Sequence, residues 1–521
     1  MSQMLKSSGA MGAATFTSRV LGLVREIVYA RFMGAGWVAD AFIFAFTVPN
    51  LFRRLLGEGA LTAAFIPIFN EKEKLAGEVE MWRAANAVIS GLVVSLAALI
   101  ALGAVGISIA LVAGINDDHT RLMLQLLRVM SPYVLLVCLA AVFMGMLNSR
   151  GHFFVPAMGA TMLNVVMIAS ALWLAPRLGK ELHQQIFGLA IGVVIAGIVQ
   201  AAFQMPLLRR DGFRHQWVSP WRDETVRRVV RQMVPGAIGV AAYQINILLT
   251  QGFAYWTEKG VVASFNYGVR LMELPQGVFG ISLATYLLPT LSGLAAEKKY
   301  PEYRATLGQG LGYLAFVNLL ASVLLLMLAG PIIRLLFEHG KFHADDTIRS
   351  SQALACLAPG LVAFSGVNIL ARAFFALGDT RTPMKISIFC LALNAVFSIA
   401  LIWRFKQAGL GIANTLSAVV NATLLFYALR RKLGTLQFPD LRRHLPTLLG
   451  GTVLAGAVAG WLAHVWEGNL GHETLPLKLG AVFAPMFAAA GIYFALAFWL
   501  KVPYAKEFLA LLPAKFKRFK D

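Results

Sequence analysis

The chain has 521 residues, of which 58% are hydrophobic and only 14% charged, with 35 Phe, 10 Trp and a mean hydropathy of +0.68. That composition excludes a soluble globule and indicates a polytopic membrane protein. The formal charge of +20 does not point to nucleic acid: the cations lie mostly in short loops between apolar stretches, where they set topology and meet anionic headgroups, and no basic–aromatic reading module is present.

A window of about 20 residues predicts fourteen spans, near 10–33, 37–56, 84–113, 121–147, 156–176, 186–207, 228–256, 261–292, 306–328, 349–377, 383–404, 408–430, 445–466 and 476–500. The first carries arginines and lacks a small-residue cleavage site, so it is expected to stay as a helix rather than leave as a signal peptide. Within it Ser18 and Arg25 lie seven residues apart, as do Arg19 and Glu26, so each pair stacks on one helix face. Span 2 carries Asp40 near its start and Pro49, whose missing N–H predicts a kink; Arg53, Arg54 and Glu58 follow at its cytoplasmic end. The outward loop at 116–118 is acidic, whereas the loop from Arg209 to Arg231 holds seven arginines. Span 8 carries Arg270 and Glu273 at i, i+3, then Pro275. With the cations biased to alternate loops, the positive-inside rule puts both termini in the cytoplasm.

Other polar groups in the spans carry less. Asn164, Asn394, Gln244, Asn246 and Gln251 read as interhelical hydrogen-bonding residues; a cation site among spans 7, 11 and 12 would lack a carboxylate. Arg128 and Arg372 have no constellation around them and read as structural or at a lobe interface. Cys138, Cys356 and Cys390 fit no metal or redox spacing and read as core. His339 and His343 in FEHGKFHADD read as a solvated loop, with metal binding the weaker alternative.

The chain repeats itself in order. GWVADAFIFAF at Gly36, leading to Pro67, matches GVVASFNYGVR at Gly260, leading to Pro289. Pro132 is followed 24 residues on by Pro156, and Pro359 by Pro383 after the same interval. GLAIG at Gly188 leads to Arg210 as GLGIAN at Gly409 leads to Lys432. The expected fold is therefore all-α, with two pseudo-symmetric six-helix lobes plus two C-terminal helices: an N-lobe over 1–210, a basic cytoplasmic linker over 211–231, a C-lobe over 232–432, and the last two helices with a basic tail over 433–521. Six helices per repeat give both halves the same orientation, as in parallel-repeat transporters, with a central cavity between lobes that rock.

Ionisable groups at membrane depth cost several kcal/mol unless they face protein or a wet cavity. Arg19, Arg25, Arg53 and Arg270 are accordingly the candidate substrate-binding residues, with Ser18, Glu26, Asp40, Glu58 and Glu273 supporting or gating them. Guanidinium grips phosphate oxygens bidentately and stays charged at any relevant pH. Arginines outnumber carboxylates here, which leaves positive charge for an anionic ligand. The competing reading is buried ion pairs that fix helix register, with Arg25–Glu26 and Arg270–Glu273 internally neutralised. No GxxxxGK[ST], HExxH or GxSxG motif is present, and no cofactor or metal is expected. Transport is favoured over catalysis.

The stretch SRVLGLVREIVYARFMGAGWVADAFIFAFTVPNLFRRLLGEGALTAAFIPIF resembles the N-terminal signature of the MurJ (MviN) family of lipid II flippases. YGVRLMELPQGVFGISLATYLLPTLS resembles its eighth-helix signature, and the likeness runs essentially the whole chain. The resemblance implies membership of the multidrug, oligosaccharidyl-lipid and polysaccharide exporter superfamily, and a last helix pair holding a polyprenyl tail. It implies lipid II, the undecaprenyl-pyrophosphate-linked disaccharide-pentapeptide, as substrate, a bacterial inner-membrane location and a place beside the cell-wall machinery. It matches the family's essential arginines to Arg19, Arg25, Arg53 and Arg270, and its second-helix carboxylates to Asp40 and Glu58. Two departures stand out: Thr47 occupies a position where some relatives carry lysine, and span 7 lacks the carboxylate with which some relatives bind sodium. The coupling ion is thus open, with the membrane potential as an alternative. A flippase for another polyprenyl-linked glycan, a cation-coupled drug exporter and a non-transporting scaffold are the rival readings.

Overall fold

The computed structural model describes residues 2–55, 61–114, 117–221, 223–434, 436 and 438–505. Every regular element among them is helical. In hydrocarbon a backbone N–H or C=O finds no water, and a helix satisfies these groups within one segment. The helices are α1 (Ser2–Met33), α2 (Trp37–Phe52), α3 (Leu61–Val112), α4 (Asp118–Met130), α5 (Tyr133–Ser149), α6 (Phe154–Ala169), α7 (Leu182–Arg210), α8 (Glu224–Thr257), α9 (Val261–Pro275) and α10 (Ser282–Ala296). They continue with α11 (Tyr300–Met327), α12 (Ala329–Phe337), α13 (Ala344–Leu357), α14 (Leu361–Ala376), α15 (Arg381–Leu433), α16 (Pro439–Asn469) and α17 (Leu475–Trp499).

By length and composition nine described helical stretches can cross a bilayer, or ten with the bent pair α4–α5 counted as one. α15 holds two of the predicted spans, and α1, α2 and α8 supply the remaining three, so each of the fourteen has its helix. Two of the breaks have a local cause. α4 and α5 meet at 41° across Ser131–Pro132, where proline cannot continue the hydrogen-bond ladder. α3 breaks at Gly77 (φ 84°), a left-handed conformation open to glycine. α15 breaks at Lys406 (φ 50°), which separates spans 11 and 12. The start of α3 falls in the apolar run from Gly36 to Pro67, and its residues 68–76 lie outside every predicted span.

The repeat's landmarks recur inside the helices. α2 contains Pro49 and runs into a π-helical turn at 53–55. α9 ends on Pro275 and runs into a π-helical turn at Gln276–Ile281, followed by α10 with Pro289.

The chain forms two compact units that divide between Ala263 and Ser264, with Gly340–Phe342 packing in the first. In the first unit Phe65, Phe69, Trp82, Phe143 and Phe213 form a buried cluster. From Phe213 the chain runs extended along α3. The Asn86 amide donates to the Arg214 carbonyl at 2.9 Å and accepts from the Gln216 N–H at 3.2 Å, while the Ser90 hydroxyl accepts from the Val218 N–H at 3.3 Å. Residues four apart on one helix face thus hold every second residue of an extended strap. α8 is secured next to it: Arg228 makes two 2.7 Å bonds to Glu71, and the Tyr255 hydroxyl donates to the His119 carbonyl at 2.8 Å while its ring stacks on the imidazole.

In the second unit Tyr303, Leu307, Ile369, Leu370, Phe374, Leu425 and Leu429 share a core, and the Tyr303 hydroxyl donates to the Ala373 carbonyl at 2.6 Å. α16 packs on α17 and α11 through Ala455, Ala459 and Ala463; small side chains let membrane helices approach closely. Tyr493 on α17 donates to the Phe316 carbonyl of α11 at 2.9 Å. Arg334 pairs with Glu467 of α16 and lies 3.6 Å from Glu338, so α12 and α16 are tied by charge. Between α14 and α15, Asp379 accepts from the Lys432 ammonium at 2.6 Å and the Thr382 N–H at 3.0 Å.

Asn86 is 2% exposed, and replacing it with leucine removes both of its bonds to the strap, at a cost of about 1–3 kcal/mol. Asn86→Leu is expected to speed tryptic cleavage after Arg214 severalfold; an unchanged rate would mean that the strap is held without Asn86. The Lys432 bond and the Thr382 N–H hold the Asp379 carboxyl below the usual carboxylate range. A depressed folded-state pKa contributes stability above the unfolded value and loses it as pH falls. Asp379→Asn should therefore lower the melting temperature equally at pH 8 and pH 5, with the difference closing only below pH about 4.

Candidate functional site

The candidate residues fall into four local settings. The first is the α1–α6 contact in the first unit. Arg25 is largely buried, its side chain 14% exposed. Its Nη2 donates to Glu26 at 2.6 Å, its Nη1 donates to the Asn164 side-chain oxygen at 3.0 Å, and its guanidinium lies 5.5 Å from the Tyr29 ring centre. The Asn164 amide in turn donates to the Ser18 carbonyl at 3.1 Å. The structure therefore brings together Ser18, Arg25 and Glu26 through Asn164. Arg25 Nε is buried with no hydrogen-bond partner among the described residues, so the guanidinium keeps an unspent donor. Arg19, on the same helix, is exposed. The i, i+7 pair Arg19–Glu26 thus divides: Glu26 is buried at 4% exposure against its neighbours, whereas Arg19 keeps its charge outside the packed contact.

The second setting is Asp40, fully buried. Its carboxylate accepts from the Gly260 N–H and, at 2.7 Å, from the Ala263 N–H. These donors belong to the first turn of α9, whose N–H groups have no partners within the helix and whose dipole favours a negative charge. Asp40 is a cap supplied from another helix. That role is invisible in sequence because 220 residues separate the partners.

The third is the end of α2. Arg53 Nε donates to the Asn50 side-chain oxygen at 2.9 Å, and the side chain is half-buried. Three residues earlier in the ladder, the Thr47 hydroxyl donates to the Ile43 carbonyl at 2.9 Å and also meets the Gln251 amide of α8. The position that some relatives fill with lysine is here a neutral helix–helix contact. Glu58 lies outside the described residues.

The fourth lies in the second unit. Arg270 pairs with Glu273 at 2.9 Å, one turn apart on α9, with side chains 35% and 45% exposed. The pair is far more open than Arg25–Glu26, so an incoming anion can displace Glu273 without a buried charge being stranded.

Among the residues given little weight from sequence, Asn164 and Asn50 hold two of the candidate arginines. The signal for Asn164 was its recurrence as Asn394 after a matched proline; Asn50 follows Pro49 directly in the span-2 motif. Arg128 donates to Ser108 at 3.3 Å and Arg372 to Thr285 at 2.8 Å, structural bonds of the expected kind. Among the described residues no group of three or more His, Cys, Asp or Glu is placed to hold a metal ion. The His343 carbonyl and N–H begin α13, the N–H donating to Asp346 at 3.1 Å.

Cationic donors with spare hydrogen-bonding capacity suit a phosphate-bearing ligand. Residues 29–480 match the family described as "Lipid II flippase MurJ". The chain is 34% identical over 442 residues to a probable lipid II flippase MurJ of Vibrio cholerae, covering 82% of this chain and 83% of that one. It is 33% identical over 497 residues to a probable lipid II flippase MurJ of Rhizobium tropici, covering 94% and 92%. In fold it is similar to a solved structure titled lipid II flippase MurJ, inward closed conformation, with a TM-score of 0.75 at 22% identity over 93% of this chain and 98% of that one. It is also similar to an inward-facing multidrug resistance MATE family transporter, with a TM-score of 0.64 at 16% identity over 80% and 95%.

Removing the Asp40 carboxylate leaves two buried N–H donors unsatisfied, at about 1–3 kcal/mol each. Asp40→Ala should lower the melting temperature of the purified protein, and Asp40→Asn, which keeps one acceptor, should recover part of the loss. Equal melting of the Ala variant and the wild type would remove Asp40 from this capping role.

Proposed function

We propose, for a chain that belongs to the MurJ family of lipid II flippases, that it turns lipid II from the cytoplasmic to the outer leaflet of the inner membrane by alternating access. It is a multi-pass membrane transporter and not an enzyme. The observation that carries the reading is the family match over residues 29–480. In the cycle proposed, the diphosphate is bound by Arg19, Arg25, Arg53 and Arg270 while the polyprenyl tail stays in lipid along α16 and α17. Both termini lie in the cytoplasm, as the positive-inside bias supports.

The chemistry is electrostatic. A diphosphate leaving water needs donors that remain charged, and arginine meets phosphate with a planar fork. Arg270, paired with Glu273 at an open site, exchanges a carboxylate for a phosphate oxygen at small desolvation cost. Arg19 is exposed and already free of a packed contact. The membrane potential supplies a driving force for resetting the emptied, positively charged binding site, because one charge crossing 100 mV gains about 2.3 kcal/mol.

The test replaces the native flippase of a depletable bacterium with this chain, wild type or Arg270→Ala, and measures lipid II in the outer leaflet. The wild type should restore exposure, and Arg270→Ala, at equal membrane level, should not. Restoration by both would take Arg270 out of the binding site and leave the transport assignment standing. A well-inserted wild type that restores nothing in a permissive host would shift the substrate to another polyprenyl-linked glycan.

A further inference from the structure

Asn164 lies on α6, buried at 5% exposure, and both ends of its amide are spent on α1. The oxygen accepts from Arg25 Nη1 at 3.0 Å and the nitrogen donates to the Ser18 carbonyl at 3.1 Å. These two partners lie seven residues apart, about 10 Å along a helix axis. One amide reaches both because an arginine side chain on a helix leans back toward the N-terminus. Gly22 lies between them and lets the Asn164 amide approach α1; a Cβ there would sit 3.8 Å from the Asn164 nitrogen. Asn164 thereby links the Arg25 guanidinium to the Ser18 turn, which the exposed Arg19 follows in sequence.

Glu26 competes for the same guanidinium. It takes Nη2 at 2.6 Å, and a carboxylate prefers to hold a guanidinium by two nitrogens at once. Asn164 occupies Nη1 with a neutral oxygen, so Glu26 does not pair end-on through both Nη nitrogens. The pairing with Glu26 stays single-ended and Nε keeps its donor unspent.

We infer that Asn164 is a positioning residue for substrate binding. It ties the Arg25 guanidinium through its own amide to the Ser18 turn and keeps it from closing end-on onto Glu26, so that the remaining N–H donors are left for a diphosphate. The inference rests on the reading of Arg25 as a diphosphate ligand. Asn164 touches no substrate itself; it acts through Arg25.

A double-mutant cycle on the full-length purified protein separates this role from a structural one, with undecaprenyl diphosphate as the titrated probe. Asn164→Leu, alike in branching and unable to hydrogen-bond, should weaken binding about tenfold, the worth of one hydrogen bond to a charged group. In an Arg25→Ala background the same change should have no further effect. Equal weakening in both backgrounds overturns the inference, because Asn164 would then act independently of Arg25. If Asn164→Leu does not accumulate in the membrane, Asn164→Ser, too short to reach Arg25, goes through the same cycle. Failure of both variants to fold makes Asn164 a structural residue and also overturns the inference. An Arg25→Ala protein that binds undecaprenyl diphosphate as the wild type does is a different failure: it removes Arg25 from the proposed binding site, whatever Asn164 does.

Discussion

Inside a bilayer no water is available to complete a hydrogen bond or to screen a charge. Every backbone group and every ionised side chain must therefore find its partner within the protein, and much of this molecule's architecture follows. The fold is helical because only helices settle the backbone within one segment. Where the helices break at Pro132 and Gly77, the interruption has a residue-level cause. Where they start, partners are supplied: Asp40 reaches the first turn of α9, and Asp223 accepts from the Thr225 and Val226 N–H groups at the start of α8.

The same constraint sorts the charges. Arg25 is nearly enclosed and is matched by Glu26, Asn164 and the Tyr29 ring. Arg270 is a third exposed and is paired with Glu273 one turn away. Arg19 stands outside the packed contacts. These are three states of one residue type, from braced to available. An anion carrier needs both kinds, since a charge exposed without support would be lost to the headgroups, and one fully enclosed could not exchange its partner for a substrate.

Much of the fold was legible in the sequence because hydrophobic length is a strong and local signal. The fourteen spans were found from it, and the breaks inside spans 4 and 10 coincide with Pro132 and Pro359. π-helical turns follow both α2 and α9, at 53–55 and at Gln276–Ile281. The helical stretch from 68 to Gly77 lies outside the predicted spans because its charged residues, Glu71, Lys72, Glu73 and Lys74, lower hydropathy there. The region over 211–231 read as a linker on its charge. Its strap is ordered by Asn86 and Ser90 of α3, polar residues with nothing in their own neighbourhood to announce a partner.

By itself the sequence determined the class of protein, its spans and the arginines whose cost demands an explanation. Apolar length and the price of a buried charge are properties of short segments, and they can be read without knowing what lies beside them. Only the tertiary structure decided what each polar group does. Asp40 became a cap for a helix 220 residues away, Thr47 a contact to Gln251, and Asn164 the bracket between Arg25 and Ser18. A hydrogen bond is worth something only at about 3 Å, and that distance between remote residues is created by folding alone.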